Sequence, residues 1–488
     1  MSKKGNLFLL IKSLSKAEKR YFKLFVASTQ GDKNYLRLFD YIDRQEQDDE
    51  KAIKKHFASE KFTRQLHVTK IYLFKLILKS LRNYHQKISI DAEIKDLLRD
   101  VEILFRKDLL DPCHYTLEKA YKLATTHEKI HYFPEIGIWK RKLLLARHGP
   151  GKSKIQINAV LQQEQQALEK LGRLHQYWYL TVNMFDIFGP AADPQKFKPY
   201  QWLLDDSRQA DTFQTKVLYY FLQQSWHYMQ NNIEAAYKYA RQLVHFIEDF
   251  PERIREEPNT YATALNNCIG ICLQTQKMEE VVELIQKIKE MPIKYKLTNQ
   301  YPFTIKMLAQ TYNIELEFYR DTRQYEKSNA TIQQIKVFLS ENIRYVPNSY
   351  KLLLHYQIAY LYFVQKQYSN ALKWLNEIIG HNYGPVRDDI QSYGRILNLM
   401  IHFELGNILV LKYAVESTRR FLKKKRSLQS FEQEILYFFA KISTAPLGEY
   451  RTLLQQLHAN LFAGMDEKNI AYVLDYLDFR SWIAGKLN

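Results

Sequence analysis

Leu354-His355-Tyr356-Gln357-Ile358-Ala359-Tyr360-Leu361-Tyr362, followed by Tyr368-Ser369-Asn370-Ala371-Leu372-Lys373-Trp374-Leu375, decides how this chain folds. Apolar residues in both stretches recur at helical spacing, not in the alternation of a strand. Ile358, Ala359 and Tyr362 belong to a first helix, and Tyr368, Ala371 and Leu375 to the turn and a second helix. Ala359 and Ala371 are small, one on each helix, where two helices must approach closely. The stretch predicts a pair of antiparallel helices.

Weaker copies surround it. Leu265, Cys268, Ile269 and Cys272 are followed by Met278, Val281 and Ile285. Tyr312, Leu316 and Tyr319 are followed by Tyr325, Ser328 and Ile332. Ile233, Ala236 and Ala240 read as the second half of an earlier unit, after Phe221–Tyr228, and Leu397–Phe403 with Gly406 and Asn407 as a degenerate later one. The turn residues Ile233, Met278, Tyr325 and Tyr368 lie 45, 47 and 43 positions apart. That is longer than the ~34 of a tetratricopeptide repeat.

Over residues 215–420 the chain resembles the tetratricopeptide-like class of helix-pair repeat proteins. The resemblance implies an all-α fold in which an N-terminal helical module precedes a right-handed α-α superhelix with an extended concave face. In that class a partner peptide lies along the first helices of successive units. The corresponding groove positions are Phe221, Asn266, Asn313 and Tyr356, with Glu317 and Tyr360 one turn further along. Paired Asn side chains can hold an extended backbone through amide hydrogen bonds.

Composition agrees with long helices. Gly and Pro number 15 and 13 among 488 residues, about half of average usage. Gly149-Pro150-Gly151, Gly189-Pro190 with Pro194, Pro251, Pro258, Pro292, Pro302, Pro347, Gly384-Pro385 and Pro446 fall mostly between periodic segments. The three cysteines preclude a dense disulfide framework and fit a reducing compartment. Cys268 and Cys272, four apart on one helix face, occupy core positions of a unit and read as small hydrophobes. The apolar run Leu7–Ile11 is too short for a signal sequence, and no run approaches the ~18 residues of a membrane span. A cytoplasmic protein is expected.

Charge divides the chain. The net charge is +18, and residues 1–90 hold 20 Lys and Arg against 9 Asp and Glu. The expected organisation is a basic helical module at 1–90, helices of atypical register at 91–214, the repeats at 215–420 and a C-terminal helical cap at 421–488. Within the module Ser15 is a candidate N-cap ahead of Glu18. A polar acidic loop, residues 45–50, leads into a short helix, and a long helix is predicted over Lys61–Ile88. On that helix Leu66, Leu73, Ile77, Leu81, Tyr84 and Ile88 share one face and Arg64, Lys75, Lys79 and Arg82 the other. With Lys54 and Lys55 just upstream, this stripe is the candidate polyanion-binding surface. Arg419–Arg426, six cations in eight residues, is a second basic cluster.

Searches for reaction chemistry return one pattern. Ala146–Ser153 approximates a phosphate-binding loop, with Lys152 for phosphate and Ser153 for magnesium. That loop requires a preceding buried strand, whereas Trp139–Ala146 reads as the end of a helix, so the segment is expected to be a turn. No metal, nucleophile or acid–base constellation emerges, Asp205-Asp206 and Asp388-Asp389 diverge by about 100° on a helix, and no cofactor is expected. The expected function is a protein-interaction scaffold, with a partner protein or peptide on the concave face. The alternative is a nucleic-acid-binding regulator with a helix-turn-helix-like head and a repeat body.

Overall fold

The computed structural model describes residues 6–28, 33–86, 89–188, 198–297, 301–343, 345–381, 383, 386–425 and 428–487. Its regular elements are all helical, with no strand among the described residues. The chain forms two compact units, Met1–Tyr219 and Tyr220–Asn488.

The first unit begins with α1 (Asn6–Ser13), α2 (Lys16–Ser28), α3 (Lys33–Arg44), α4 (Glu50–His56) and α5 (Leu66–Tyr84). Ser15 and Glu18 close a reciprocal box at the start of α2: the Glu18 N–H donates to Ser15 Oγ at 3.2 Å and the Ser15 N–H to Glu18 Oε2 at 2.7 Å. This satisfies two helix-end donors at once. Ile11, Phe22, Val26, Leu38, Phe39, Ile42, Ile53, Leu73 and Ile77 form a common core, each 1 % exposed or less. Each contributes roughly 1.5–3 kcal/mol on burial.

The long helix predicted over Lys61–Ile88 is shorter. Lys61–Gln65 is a 3-10 turn, pinned by Thr63 Oγ1 donating to the Phe57 carbonyl at 2.5 Å, and the α-helix runs from Leu66 to Tyr84. Arg64 therefore precedes the helix. Ile88 lies outside the described residues, and Tyr84 is 41 % exposed.

Next come α6 (Ile90–Arg106), α7 (Leu110–Thr126), α8 (Phe133–Lys152) and α9 (Lys154–Val182), of which α7, α8 and α9 each pack on the helix before. They surround a separate core of Ile94, Leu98, Val101, Cys113, Leu117 and Ile136. The short α10 (Met184–Phe188) and α11 (Gln201–Asp205) follow. Gly189-Pro190 and Pro194 lie outside the described residues.

The boundary between units falls within α12 (Phe213–Met229). The second unit continues with α13 (Ile233–Glu248), α14 (Pro251–Glu256), α15 (Pro258–Gln274), α16 (Met278–Lys294), α17 (Tyr301–Asp321) and α18 (Tyr325–Asn342). After these come α19 (Asn348–Val364), α20 (Tyr368–Gly380), α21 (Asp388–Glu404) and α22 (Ile408–Lys425). The chain ends with α23 (Ser430–Ile442), α24 (Tyr450–Asn460), α25 (Glu467–Tyr476) and α26 (Phe479–Leu487). From α15 to α24 each helix packs on the next, and α15, α17, α19 and α21 recur every second helix. Gly384-Pro385 lies outside the described residues. Pro292 departs from the expectation of a breaker between segments: it sits in the last turn of α16, and its carbonyl accepts from the Leu297 N–H to close the following turn.

One turn geometry recurs. Asn231, Gln276, Arg323, Lys366 and Gly406 all have positive φ, between 56° and 68°. In each case the next N–H donates back to the carbonyl five residues earlier: Asn232 to His227, Lys277 to Cys272, Gln324 to Tyr319, Gln367 to Tyr362 and Asn407 to His402. This is the helix-terminating turn whose left-handed residue redirects the chain. It places the start of the following helix at Ile233, Met278, Tyr325, Tyr368 and Ile408.

Candidate functional site

The basic stripe of the first unit is exposed in full. Lys75, Lys79 and Arg82 lie on the solvent face of α5, opposite buried Leu66, Thr69, Leu73, Ile77 and Ser80. Arg64, on the turn before it, is exposed too. Among the described residues none of these four cations has a carboxylate within ion-pair distance, whereas Lys70 on the same helix is held by Glu50 at 3.3 Å. Upstream, Lys55 is exposed and Lys54 is paired with Glu50 at 3.0 Å. The His85 ring sits 2.6 Å from Glu18. Burial works against the Glu18 charge, but hydrogen bonds from His85 and Ser15 outweigh it and hold the carboxyl below its ordinary range. In the second basic cluster Arg419 is paired with Glu416, and Arg426 lies outside the described residues.

The phosphate-loop pattern lacks the required surroundings. Phe133–His148 is helical, Gly149 takes φ +69°, and the Ser153 hydroxyl is fully buried and donates to the Gly149 carbonyl. Neither the strand nor an accessible hydroxyl for magnesium is present. The buried thiol of Cys268, hydrogen-bonded to Cys272, is pushed up, and all three cysteines are free and buried. No cluster of three metal-ligating side chains occurs among the described residues.

The groove positions occupy one register. Phe221, Asn266, Asn313 and Tyr356 each stand twelve residues before the first residue of the next helix, Ile233, Met278, Tyr325 and Tyr368. Phe221 on α12 and Asn266 on α15 are half-buried. Asn313 on α17 is 8 % exposed. Its Nδ2 donates to Glu317 Oε1 at 3.1 Å, which fixes the amide orientation, while its buried Oδ1 has no donor. The Oδ1 of Asn266 is likewise buried without a donor. An unmet buried carbonyl costs about 1–3 kcal/mol.

Around Glu317 a polar network spans two helices. Gln357 Nε2 donates to Glu317 Oε1 at 2.7 Å, and Arg320 Nη1 donates to Gln357 Oε1 at 3.0 Å. The Arg320 guanidinium also lies 5.2 Å from the centroid of the Tyr360 ring. Burial raises the Glu317 carboxyl above its ordinary range despite nearby Arg320 and Asn313.

Tyr356 and Tyr360 are not open to solvent, contrary to their assignment as groove-lining residues: they are 1 % and 5 % exposed. The C-terminal segment covers them. The Tyr356 hydroxyl donates to the Tyr476 carbonyl at 2.7 Å, and the Asp478 N–H donates to the Tyr360 hydroxyl at 2.9 Å. Leu477 between them is extended, with φ −155° and ψ 114°, and fully buried. The Tyr476 ring stacks on Tyr393 of α21 at 4.4 Å, and its hydroxyl donates to Asp389 Oδ2 at 2.8 Å. Burial lifts the Asp389 carboxyl, but hydrogen bonds from Arg387 and Tyr476 outweigh it. Further on, Trp482 Nε1 and Lys486 Nζ both donate to Glu404 at 2.7 Å. The sequence reading missed Gln357, Tyr393, Glu404 and the whole segment, and it set Asp389 aside as half of an adjacent carboxylate pair. No periodic signal marks a segment that docks 78 to 120 residues from its partners.

No family model, curated protein or solved structure matches this chain.

Proposed function

We propose that this chain is a protein-interaction scaffold and not an enzyme. On this reading residues 215–420 form a right-handed, tetratricopeptide-like superhelix, and an extended segment of a partner protein lies along α15, α17 and α19. The recurring left-handed turn at Asn231, Gln276, Arg323, Lys366 and Gly406 supports the repeat. The observation that carries the function is the pair of buried amide oxygens at Asn266 and Asn313, in matching register and without donors. A peptide backbone supplies N–H donors at regular intervals, whichever side chains it bears. A cytoplasmic location belongs to the same proposal, supported by three free, buried cysteines. No helix among the described residues is long and apolar enough to cross a membrane.

The test is an arrayed library of extended peptides, probed with the full chain and with the double variant Asn266→Leu, Asn313→Leu. Binding of a peptide subset that the variant loses by at least tenfold, with an unchanged or higher melting temperature, supports the reading. Equal binding by the variant, or no peptide bound, overturns it.

A second reading, a nucleic-acid-binding regulator, rests on the unpaired cations Arg64, Lys75, Lys79 and Arg82. It requires duplex DNA or RNA binding that weakens with salt by a log–log slope of about −0.9 per phosphate contact on DNA. Lys75→Glu, Lys79→Glu and Arg82→Glu together then abolish binding.

A further inference from the structure

The link that covers Tyr356 and Tyr360, between α25 and the packed helix α26, is held by its main chain. At this link Leu477 is extended and the main chain is caught on either side of it, the Tyr476 carbonyl by the Tyr356 hydroxyl and the Asp478 N–H by the Tyr360 hydroxyl, while Leu477, Phe479 and Ile483 are the fully buried apolar side chains of Tyr476–Lys486. This is how a receptor grips an extended peptide: backbone bonds supply general affinity and a side-chain pocket selects. Tyr356, which the segment meets, shares the register position of Asn266 and Asn313. The α25 helix that delivers it is thinly anchored, with Val473 its only fully buried side chain among those described. Before it, the chain turns through Gly464 at φ +74°.

We propose that residues Tyr476–Lys486 are the resident ligand of a peptide site on α19 and α21, and that the site's external ligand is a partner segment of the same chemistry. That chemistry is a tyrosine followed by an aliphatic residue in extended conformation, then an indole and a cation on a helical turn. Each element has its receptor: Tyr393 and Asp389 take the tyrosine, the Tyr356 and Tyr360 hydroxyls take the backbone, and Glu404 takes the indole N–H and the ammonium. The Glu404 side chain is 5 % exposed and also takes a hydrogen bond from Tyr368, so the carboxylate stays in place when the segment leaves. The tethered segment competes at an effective concentration of about millimolar, so a free peptide binds well only once the segment is displaced. The inference rests on the scaffold reading.

The experiment uses the full chain and a fluorescein-labelled peptide of residues 472–486. Leu477→Asp places a carboxylate in a fully buried pocket and evicts the tethered segment. The expected result is faster hydrogen exchange at 467–486 with α19 and α21 still protected, and peptide affinity at least a hundredfold above that of wild type. The same peptide carrying Leu477→Asp should not bind. In the evicted background, Tyr356→Phe with Tyr360→Phe keeps the ring packing and removes both backbone contacts, and should weaken the peptide about tenfold. A folded Leu477→Asp chain that ignores the peptide overturns the proposal. So does loss of protection throughout α19 and α21, because the segment is then core and not ligand. If library peptides still bind in an Asn266- and Asn313-dependent way, the scaffold reading survives that failure.

Discussion

α15 and α17 carry the same register position as α19, yet the two ends of this line are finished in opposite ways. At Asn266 and Asn313 the buried carbonyls have no donor. At Tyr356 the hydroxyl is engaged by the chain's own backbone, and α19 is buried almost without interruption from Leu352 to Phe363. On the scaffold reading we propose, an amide pair left unmet beside a tyrosine pair fully met is what a binding line looks like when part of it is already filled. At Asn266 an apolar side chain would remove an unmet buried oxygen without taking a recorded bond from a neighbour, a change that is neutral or stabilising.

The contrast can be broken by substitution. Tyr356→Ala at the filled end should be the most damaging, about 3–5 kcal/mol as for other large buried aromatics. It should appear as a large fall in melting temperature and faster exchange at Tyr476–Asp478. Asn266→Leu at the open end should act in the other direction, raising stability by about 1 kcal/mol while weakening any bound peptide. A comparable loss of stability at both positions would mean that the two ends do not differ in the way described.

Glu317 sharpens the comparison, because its carboxyl lies between the two ends. Its folded value is raised above the ordinary 4.5 by burial. Between those values the native state retains a proton that the unfolded chain has lost, so stability falls as pH rises through that window and stays lower above it. Glu317→Gln keeps an acceptor for Asn313 and Gln357 but does not titrate. Its melting temperature should exceed that of wild type at pH 7, and the gap should close as pH falls toward 4.5. A gap independent of pH would show that Glu317 is already compensated. The smallest effect belongs to the first unit: reversing Lys75, Lys79 and Arg82 together should change stability by less than about 0.5 kcal/mol per site, because these side chains are exposed and unpaired.

The helix pairs were legible because their information is local. Apolar spacing singled out Ile233, Met278, Tyr325 and Tyr368 as turn residues, and each is the first residue of a helix, just past the turn. The turns themselves were hidden, since four of the five left-handed residues are Asn231, Gln276, Arg323 and Lys366 and not glycine. Arg64 was misplaced because the continuous helical pattern conceals the 3-10 turn that Thr63 stabilises. Tyr356 and Tyr360 were placed correctly along the helix but wrongly with respect to solvent. Their cover arrives from residues 476–478, and no spacing rule within one helix reports a neighbour that distant in sequence.

Those four turns have a further consequence. An L-residue held in the left-handed region costs roughly 1–2 kcal/mol, and here that cost recurs at regular intervals along the second unit. Changing any one of them to glycine relaxes a single joint and leaves its neighbours as they were. If the second unit is the repeat array proposed above, these turns are a row of separately adjustable joints. The array's stiffness can drift one joint at a time, under selection or by design, without disturbing the line of side chains along which a ligand would run.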